Sequence, residues 1–574
     1  MEAKQKKQKT HLIVLKSFQK SLGTFLKETG LHGLKFVGDA TLSIWERSFF
    51  LIAFVAAFIL TFQLISNIYE KWNSTPVIIG ISPHATSILK VPFPAITICN
   101  MNNVQRSKVA HYKEGSQESD LLKVLCSDES VNDEESDDAE TISFFSSLAN
   151  NSLKISDFVM NHSQTCDQML RFCRFSGIEY ECDNLFRHIV TDEGLCCVFN
   201  FHPPERLYKR HGRNLTSKLG VESVSWDPEA GYSNQLPSRY YPRPAVGSGI
   251  TMGFSVVLDA QLNEYYCSST NGPGFKLLFH NPISTPDMKD EGLVVGIGYE
   301  MNFRLEASRS EAMPSIRSIS INNRQCVFMD EKKLLYHKHY SHRNCENECY
   351  AKFLYESCAC IPHKYPHVYQ NASICTVGDT ICIRRASRRA NANKSLKCSK
   401  QCLPSCFDLS YLADALYFPL AKRDFRIANA LVANINKSYL LDNIAVVNLY
   451  YRESAYYGSM KNVYIGLTEF LSNIGGVMGL FMGFSVISLA EMFYFLVLKP
   501  ISEFIAWKRG KLIETNQNSI KVDAGQEFSK HNNSIWHIRE LYPKGIKSTT
   551  IDINGYSEKE VFNPRKGKII KAFK

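Results

Sequence analysis

Residues 475–485 read GGVMGLFMGFS and lie inside the last long apolar segment of the chain. Four glycines, Gly475, Gly476, Gly479 and Gly483, fall within nine residues. Each glycine inside a helix costs about 1 kcal/mol relative to alanine, and crossing lipid does not require them. Gly475, Gly479 and Gly483 recur at i, i+4 and i+8, a small-residue stripe on one helix face. Close packing against another membrane helix would account for that stripe alone, but not for Ser485 and Glu491. With the stripe centred on Gly479, Ser485 points about 120° to one side and Glu491 about 120° to the other in an ideal helix. No straight helix turns all three to one axis, whereas a break at Gly483-Phe484-Ser485 does. Carbonyls freed by a break are tolerated at membrane depth only where they line a wet cavity. Rings of carbonyls and hydroxyls there replace an ion's hydration shell, and a carboxylate such as Glu491 adds a preference for cations. The stretch therefore predicts a pore lined by Gly475, Gly479 and Glu491 and narrowest at Gly483, Phe484 and Ser485. One or two spans cannot enclose a pore, so several chains must contribute.

Working outward, 574 residues hold two segments of membrane length. Ser48–Tyr69 carries no charge, and Phe470–Leu498 carries only Glu491; each exceeds the roughly 20 residues needed to cross a bilayer core. The polar, basic opening MEAKQKKQKTH does not resemble a cleavable signal peptide, so the first span is expected to act as an uncleaved anchor. Residues 1–47 hold nine Lys and Arg against four Asp and Glu, and residues 499–574 hold fifteen against eight. The rest holds 42 against 44, so the formal charge of +10 belongs to the two tails. Basic flanks face the cytoplasm. The expected organisation is a cytoplasmic tail over 1–47, spans over 48–69 and 465–498, an outer domain over 70–464, and a second cytoplasmic tail over 499–574.

Cysteines test that topology independently. All eighteen fall between Cys99 and Cys406, as a disulfide framework in an oxidising compartment would. Candidate glycosylation sites at Asn73, Asn150, Asn161, Asn214, Asn371, Asn393 and Asn436 all fall in the expected outer domain 70–464, and Asn532 alone lies outside it. Cys345, Cys349, Cys358 and Cys360 are followed by Cys398, Cys402 and Cys406. Zinc is the competing explanation; without a repeated CxxC pair, a disulfide ladder stiffening the approach to the second span is favoured, and no metal site is expected.

Within the outer domain, VPFPAITICN (91–100), GITMGFSVVLDA (249–260), GFKLLFH (274–280) and SISINNRQCVF (318–328) read as strands. ISFFSSLAN (142–150) and ECYAKFLYES (348–357) read as helices. The eight acids of DESVNDEESDDAE (128–140) suit a solvated loop, and RRASRR (384–389) an exposed basic loop open to proteases or anions. His337, His339 and His342 stand beside the ladder; ordinary surface histidines explain them better than a proton or zinc sensor. No nucleophile, base and oxyanion set is legible, which argues against an enzyme, and nothing points to nucleic acid.

Five motifs in order, LHGLKFVGDATLSIWERSFF (31–50), FPAITICN (93–100), TDEGLCCVFN (191–200), WDPEAGY (226–232) and the Gly483-Phe484-Ser485 tripeptide, resemble the degenerin/epithelial sodium channel superfamily, and within it the insect pickpocket branch. The resemblance spans nearly the whole chain. It implies an α+β membrane protein of the plasma membrane, with two transmembrane helices and a hand-like ectodomain of palm, β-ball, finger, knuckle and disulfide-braced thumb. It implies a trimer, of this chain or mixed with related subunits, and a sodium-preferring, amiloride-sensitive conductance. The permeant sodium ion is then the only small species required, and an extracellular ligand or mechanical stimulus opens the gate. Ser472, thirteen residues before Ser485, corresponds to the family's gating-sensitive position, and His32-Gly33 to a re-entrant segment below the filter. Glu491 matches an acidic position of acid-sensing relatives, but Tyr494 stands where those relatives carry a further acid. Two other classes share the topology: a two-span scavenger-type lipid receptor, which needs no filter, and a trimeric ATP-gated channel, which needs a basic nucleotide pocket.

Overall fold

The computed structural model describes residues 18–126, 148, 151–209, 222–233, 235–237, 239–392, 398–420, 425, 432–433, 435–507 and 509, and two strands at 560–563 and 568–571. The acidic run 128–140 lies outside the described residues, as do Asn150, Asn214, Asn393 and Asn532 and all of 142–150 but Leu148. Two units are distinguished, Leu26–Leu489 and the combination of Met1–Phe25 with Ala490–Lys574. In the smaller unit Phe25 packs on Phe495, ring centroids 6.1 Å apart.

Near its start the larger unit carries a long helix, α1 (Ile44–Ser74). Its start is set by a capping box, in which the Ser43 hydroxyl accepts from the Glu46 amide and the Glu46 carboxylate accepts from the Ser43 amide. Its 31 residues extend about 46 Å, so the helix outlasts the uncharged stretch 48–69 at both ends. Among the described residues it is the one unbroken helix long and apolar enough to cross a membrane.

The chain then builds β1 (Val77–Ile81), β2 (Ala95–Asn100), β3 (Leu170–Phe175), β4 (Ile178–Tyr180), β5 (Phe186–Thr191), β6 (Gly194–Phe199), β7 (Phe254–Asp259), β8 (Gly274–His280), β9 (Leu293–Gly296) and β10 (Tyr299–Ala312). Helices α2 (His342–Cys358) and α3 (Thr380–Ala392) follow, then β11 (Asp408–Pro419), β12 (Ile444–Tyr451) and β13 (Ser459–Val463). Last come α4 (Leu467–Met482) and α5 (Val486–Phe493).

Two sheets carry the body. The eight-stranded sheet runs β1-β13-β10-β12-β7-β3-β4, with β11 also pairing β10, and the five-stranded sheet runs β9-β8-β2-β6-β5. Strand β2 is central and wholly buried, and its alternation sends Ile96 and Ile98 to one side and Ala95 and Cys99 to the other. The first side meets the larger sheet, whose Phe175, Phe254, Phe303 and Leu449 share the main core with them and with Phe199 of β6. Full burial of each such side chain stabilises by roughly 1.5–3 kcal/mol. The long β10 pairs in parallel with β12 and then β13 along one edge, and antiparallel with β11 along the other.

Nine disulfides use all eighteen cysteines. Cys345 and Cys349 sit one turn apart on α2 and bond Cys402 and Cys398 respectively, so two matching C-x3-C spacings run antiparallel as rungs. Cys358–Cys382 ties α2 to α3, Cys360–Cys375 follows, and Cys326–Cys406 closes the ladder. Asp379 approaches Cys360 and Cys375 at metal-binding range, but the two sulfurs are joined to each other.

Several expectations are corrected. Residues 318–328 are not a strand: Ile321–Arg324 form one helical turn, ended by Gln325 at φ +56°. Buried Arg324 draws the segment in by bonding the carbonyls of Ile319 and Cys326, which overrides the apolar alternation. RRASRR is not a loop but the middle of α3, which buries Ala386 and Ala390 one turn apart. In 249–260 only Phe254–Asp259 is strand, and in 91–100 only Ala95–Asn100. The strand that directly follows α1 is β1, ahead of 91–100, the first strand read from the sequence.

Candidate pore segment and outer cleft

The glycine-rich stretch ends one helix and begins another. Helix α4 stops at Met482, and Gly483 adopts φ +66°, a left-handed conformation that glycine enters without Cβ strain. The Gly483 amide donates to the Gly479 carbonyl at 2.9 Å and the Phe484 amide reaches back to Met478 at 3.3 Å, satisfying the helix end. Ser485 then caps α5: its hydroxyl accepts from the Ser488 amide at 3.2 Å, and its own amide donates to the Ser488 hydroxyl at 3.3 Å. The chain bends by 68° at this break. Gly483-Phe484-Ser485 is therefore a C-terminal cap joined to an N-terminal cap.

A segment from the other end of the chain closes on the break. The His32 amide donates to the Met482 carbonyl at 2.9 Å, and a Cβ added to Gly483 would lie 2.6 Å from the His32 ring. Gly33, at φ +79°, starts the short helix Leu34–Gly38. His32-Gly33 and Gly483 thus fit one another directly. Farther along α4, a Cβ on Gly475 or Gly476 would meet nothing within 4 Å, so this chain's own helices leave those glycines open. Ser472, Gly475 and Ser485 are exposed. On α5, Glu491 has a carboxylate oxygen shielded from solvent and without a hydrogen-bond partner. At the opposite end of α4, Phe470 stacks on Trp72 of α1 at 4.6 Å.

A second concave region lies between the far face of the five-stranded sheet and α2 and α3, a cleft of about 1270 Å³. Arg187, Asp192, His202, Asp287, Arg384 and Arg388 are among its walls. Asp192 accepts the amides of Met288 and Lys289 at 3.0 and 2.8 Å. Burial, reinforced by the Asp192 charge, pushes the Asp287 carboxyl up despite the nearby Asp290 amide and Arg343.

Of the histidines beside the ladder, His337 is not an ordinary surface residue. His337 is 1 % exposed; its Nδ1 meets Glu348 Oε1 at 2.9 Å and its Nε2 meets the Thr285 hydroxyl at 3.2 Å. The Leu335, Tyr336 and His337 amides also donate to Glu348. Burial alone would raise the Glu348 carboxyl, but the His337 ring and these amides outweigh it and hold it below the ordinary value. His339 and His342 are half-buried. Sequence alone did not single out Glu348, Arg187 or Asp287, because nothing local marks them; contacts between distant segments do. The candidate sites Asn73, Asn161, Asn371 and Asn436 are all exposed.

A profile of the amiloride-sensitive sodium channel family matches residues 25–495. The chain is 36% identical over 492 residues to pickpocket protein 28 of Drosophila melanogaster, covering 84% of this chain and 79% of that protein. It is 23% identical over 536 residues to the sodium channel protein Nach of Drosophila ananassae, covering 92% and 96% of the two chains. It is also 23% identical over 495 residues to the bile acid-sensitive ion channel of Rattus norvegicus, covering 82% and 86%.

Proposed function

Because the chain belongs to the amiloride-sensitive sodium channel family, and is a sodium channel subunit of pickpocket type rather than an enzyme, we propose that it forms the pore of a trimeric, sodium-selective, amiloride-sensitive channel of the plasma membrane. The family match also sets aside the scavenger-receptor and ATP-gated alternatives. Both tails face the cytoplasm, α1 is the first span, and α4 with the helix beginning at Val486 is a broken second span. The sheets form the palm and β-ball, and α2 and α3 with their ladder form the thumb. Three copies of the chain, or a mixture with related subunits, surround the axis. Sodium is the permeant species, and a sensory stimulus, ligand or force, acts through the outer body.

The observation that carries the proposal is the break at Gly483–Ser485, capped on both sides and braced by His32. Gly475 and Gly479 line the path above it and Glu491 favours cations beyond it. A helix that only crossed lipid would gain nothing from such an interruption. The test is current recorded from this chain alone and with related subunits, using matched surface expression. Ser485→Phe should abolish current or erase the preference for sodium, because a side-chain ring at the narrowest point sets selectivity; unchanged selectivity and conductance would defeat the filter assignment.

Gating makes a separate expectation at Ser472. Where three helices converge, a larger side chain costs about 1–3 kcal/mol per site in overpacking. Three symmetric copies approach the roughly 5.5 kcal/mol that moves a two-state equilibrium from 1:99 to 99:1. Ser472→Val should therefore produce a constitutive, amiloride-blocked sodium leak. A mutant as quiet as a functional wild-type channel would exclude the role.

A further inference from the structure

Arg384, Arg385, Arg388 and Arg389 fall within six residues of α3, and neither the pore nor the core uses them. In an ideal helix they cover an arc of about 140°, centred about 150° from Ala386 and Ala390, the two residues that α3 buries. Arg385, Arg388 and Arg389 are exposed, and Arg384 is half-buried. Arg384 and Arg388, one turn apart, stand on the wall of the outer cleft; Arg385 and Arg389 form a second row beside them. The helix is held in place, since Cys382 in its first turn is bonded to Cys358 of α2 and the buried alanines fix its roll. Four positive charges are thus presented along a ridge about 7.5 Å long.

The surroundings decide what such a ridge suits. Among the described residues from 336 to 411, no large apolar side chain is exposed. A protein partner draws most of its binding energy from buried aromatic or aliphatic anchors, and this face offers it none. Rows of cations without anchors suit a linear polyanion, whose binding is driven by the release of counterions. Short arginine-rich runs mark nucleic-acid or heparin patches, and the planar guanidinium fork matches paired anionic oxygens. Arg385 and Arg388 do have partners, but contacts made by exposed charges are weak and exchange readily.

We propose that this face of α3 binds a linear sulfated polysaccharide of the heparin type, with its sulfates on Arg384, Arg385, Arg388 and Arg389. The choice of polysaccharide over nucleic acid rests on the proposed topology, which puts α3 outside the cell.

The test uses intact cells displaying the full chain, so that the two basic tails stay out of reach. Antibodies to the outer domain and to the C-terminal tail are first applied without permeabilisation; tail staining overturns the topology and the polysaccharide site together. With the tail hidden, fluorescent heparin should bind saturably, above cells lacking the chain, at an ionic strength of about 0.15 M. Replacing half the salt by sucrose should tighten binding several-fold. Exchanging all four arginines for glutamine should weaken it at least about tenfold. If that variant does not reach the surface, Arg385→Gln with Arg389→Gln, the row away from the cleft, should weaken it about threefold. Glutamine at Lys90, Arg106, Lys123 and Arg452, four exposed cations spread over the body, should leave binding unchanged. Absent or salt-insensitive binding, or binding that survives loss of the arginines, overturns the proposal. An equal loss from the scattered substitutions overturns it as well, showing general charge. Polyglutamate binding as tightly as heparin assigns the face to acidic protein instead, and heparin binding that appears only after the acids of 128–140 are neutralised assigns it to this chain's own acidic run; either result overturns the proposal. With the tail hidden, these failures leave the topology and the pore untouched, because no readout passes through ion current.

Discussion

Gly483 shows how much one missing methyl group can decide. Its left-handed backbone costs a residue with a Cβ roughly 1–2 kcal/mol, and the methyl would also drive into the His32 ring. Gly483→Ala should therefore remove most of the current at matched surface expression, although alanine is the better helix former. Adding His32→Ala relieves the collision but not the backbone strain, so partial recovery is expected, with a coupling of about 1 kcal/mol between the sites. Full current in the single mutant, or additive effects in the double, contradicts that arrangement. The break was legible in the sequence because the glycine stripe, Ser485 and Glu491 could not all face one axis on a straight helix. The fit between Gly483 and His32 was not, since only folding brings the two ends together.

Among the elements, α2 depends on a polar clamp as well as on its disulfides. The Glu348 carboxylate gathers three amides and the His337 ring and so fixes the approach to the helix. Glu348→Gln should destabilise the purified protein by about 1–3 kcal/mol at neutral pH, the usual penalty for spoiling a buried charged hydrogen bond. Its folded pKa lies below 4.5, the ordinary value, so the unfolded chain binds this proton first. The contribution is then complete above about pH 4.5 and lost as pH falls through the folded value. Unfolding midpoints of wild type and mutant should converge below that point; a constant gap from pH 7 to pH 3 rules out the carboxylate as the source. Helix α2 was legible from its apolar spacing and the bridges from cysteine number, whereas the pairing needed the fold. The misread segments share a cause. In 318–328 alternation was outweighed by one buried arginine, and in 384–389 a dense run of charge concealed the buried stripe of Ala386 and Ala390.

At the scale of the whole molecule, burial in different places holds histidines neutral, most strongly at His202, His280 and His363 among the described residues. Burial pushes His202 down to about 3, and His280 and His363 to about 4. Each takes a proton near 6.5 once unfolded, so the unfolded state binds more protons between those values and stability must fall as pH drops from 6.5 towards 4. His202 and His280 each contribute up to ~3 kcal/mol to that loss. The unfolding midpoint should be level above about pH 7 and descend across this window, and His280→Gln should flatten part of the descent. A midpoint unchanged down to pH 4 would show that the rings are not buried in solution. The membrane-length segments and the cysteine-rich region were legible from composition. The order of strands was not, because β1 and β13, which pair, lie at opposite ends of the larger unit's sequence.

That pairing has a mechanical consequence. Val77 opposite Val463 begins the β1–β13 ladder and Ile81 opposite Ser459 ends it, while α1 and α4 attach at the Val77–Val463 end. Spreading the two helices sideways loads this ribbon by peeling, one hydrogen-bonded pair at a time from the attached end. Pulling one strand lengthwise past the other loads all five pairs in shear together. The junction is therefore soft to lateral tension and stiff to relative sliding, so a sideways pull on the helices and a push transmitted through the body meet different resistances at the same five rungs.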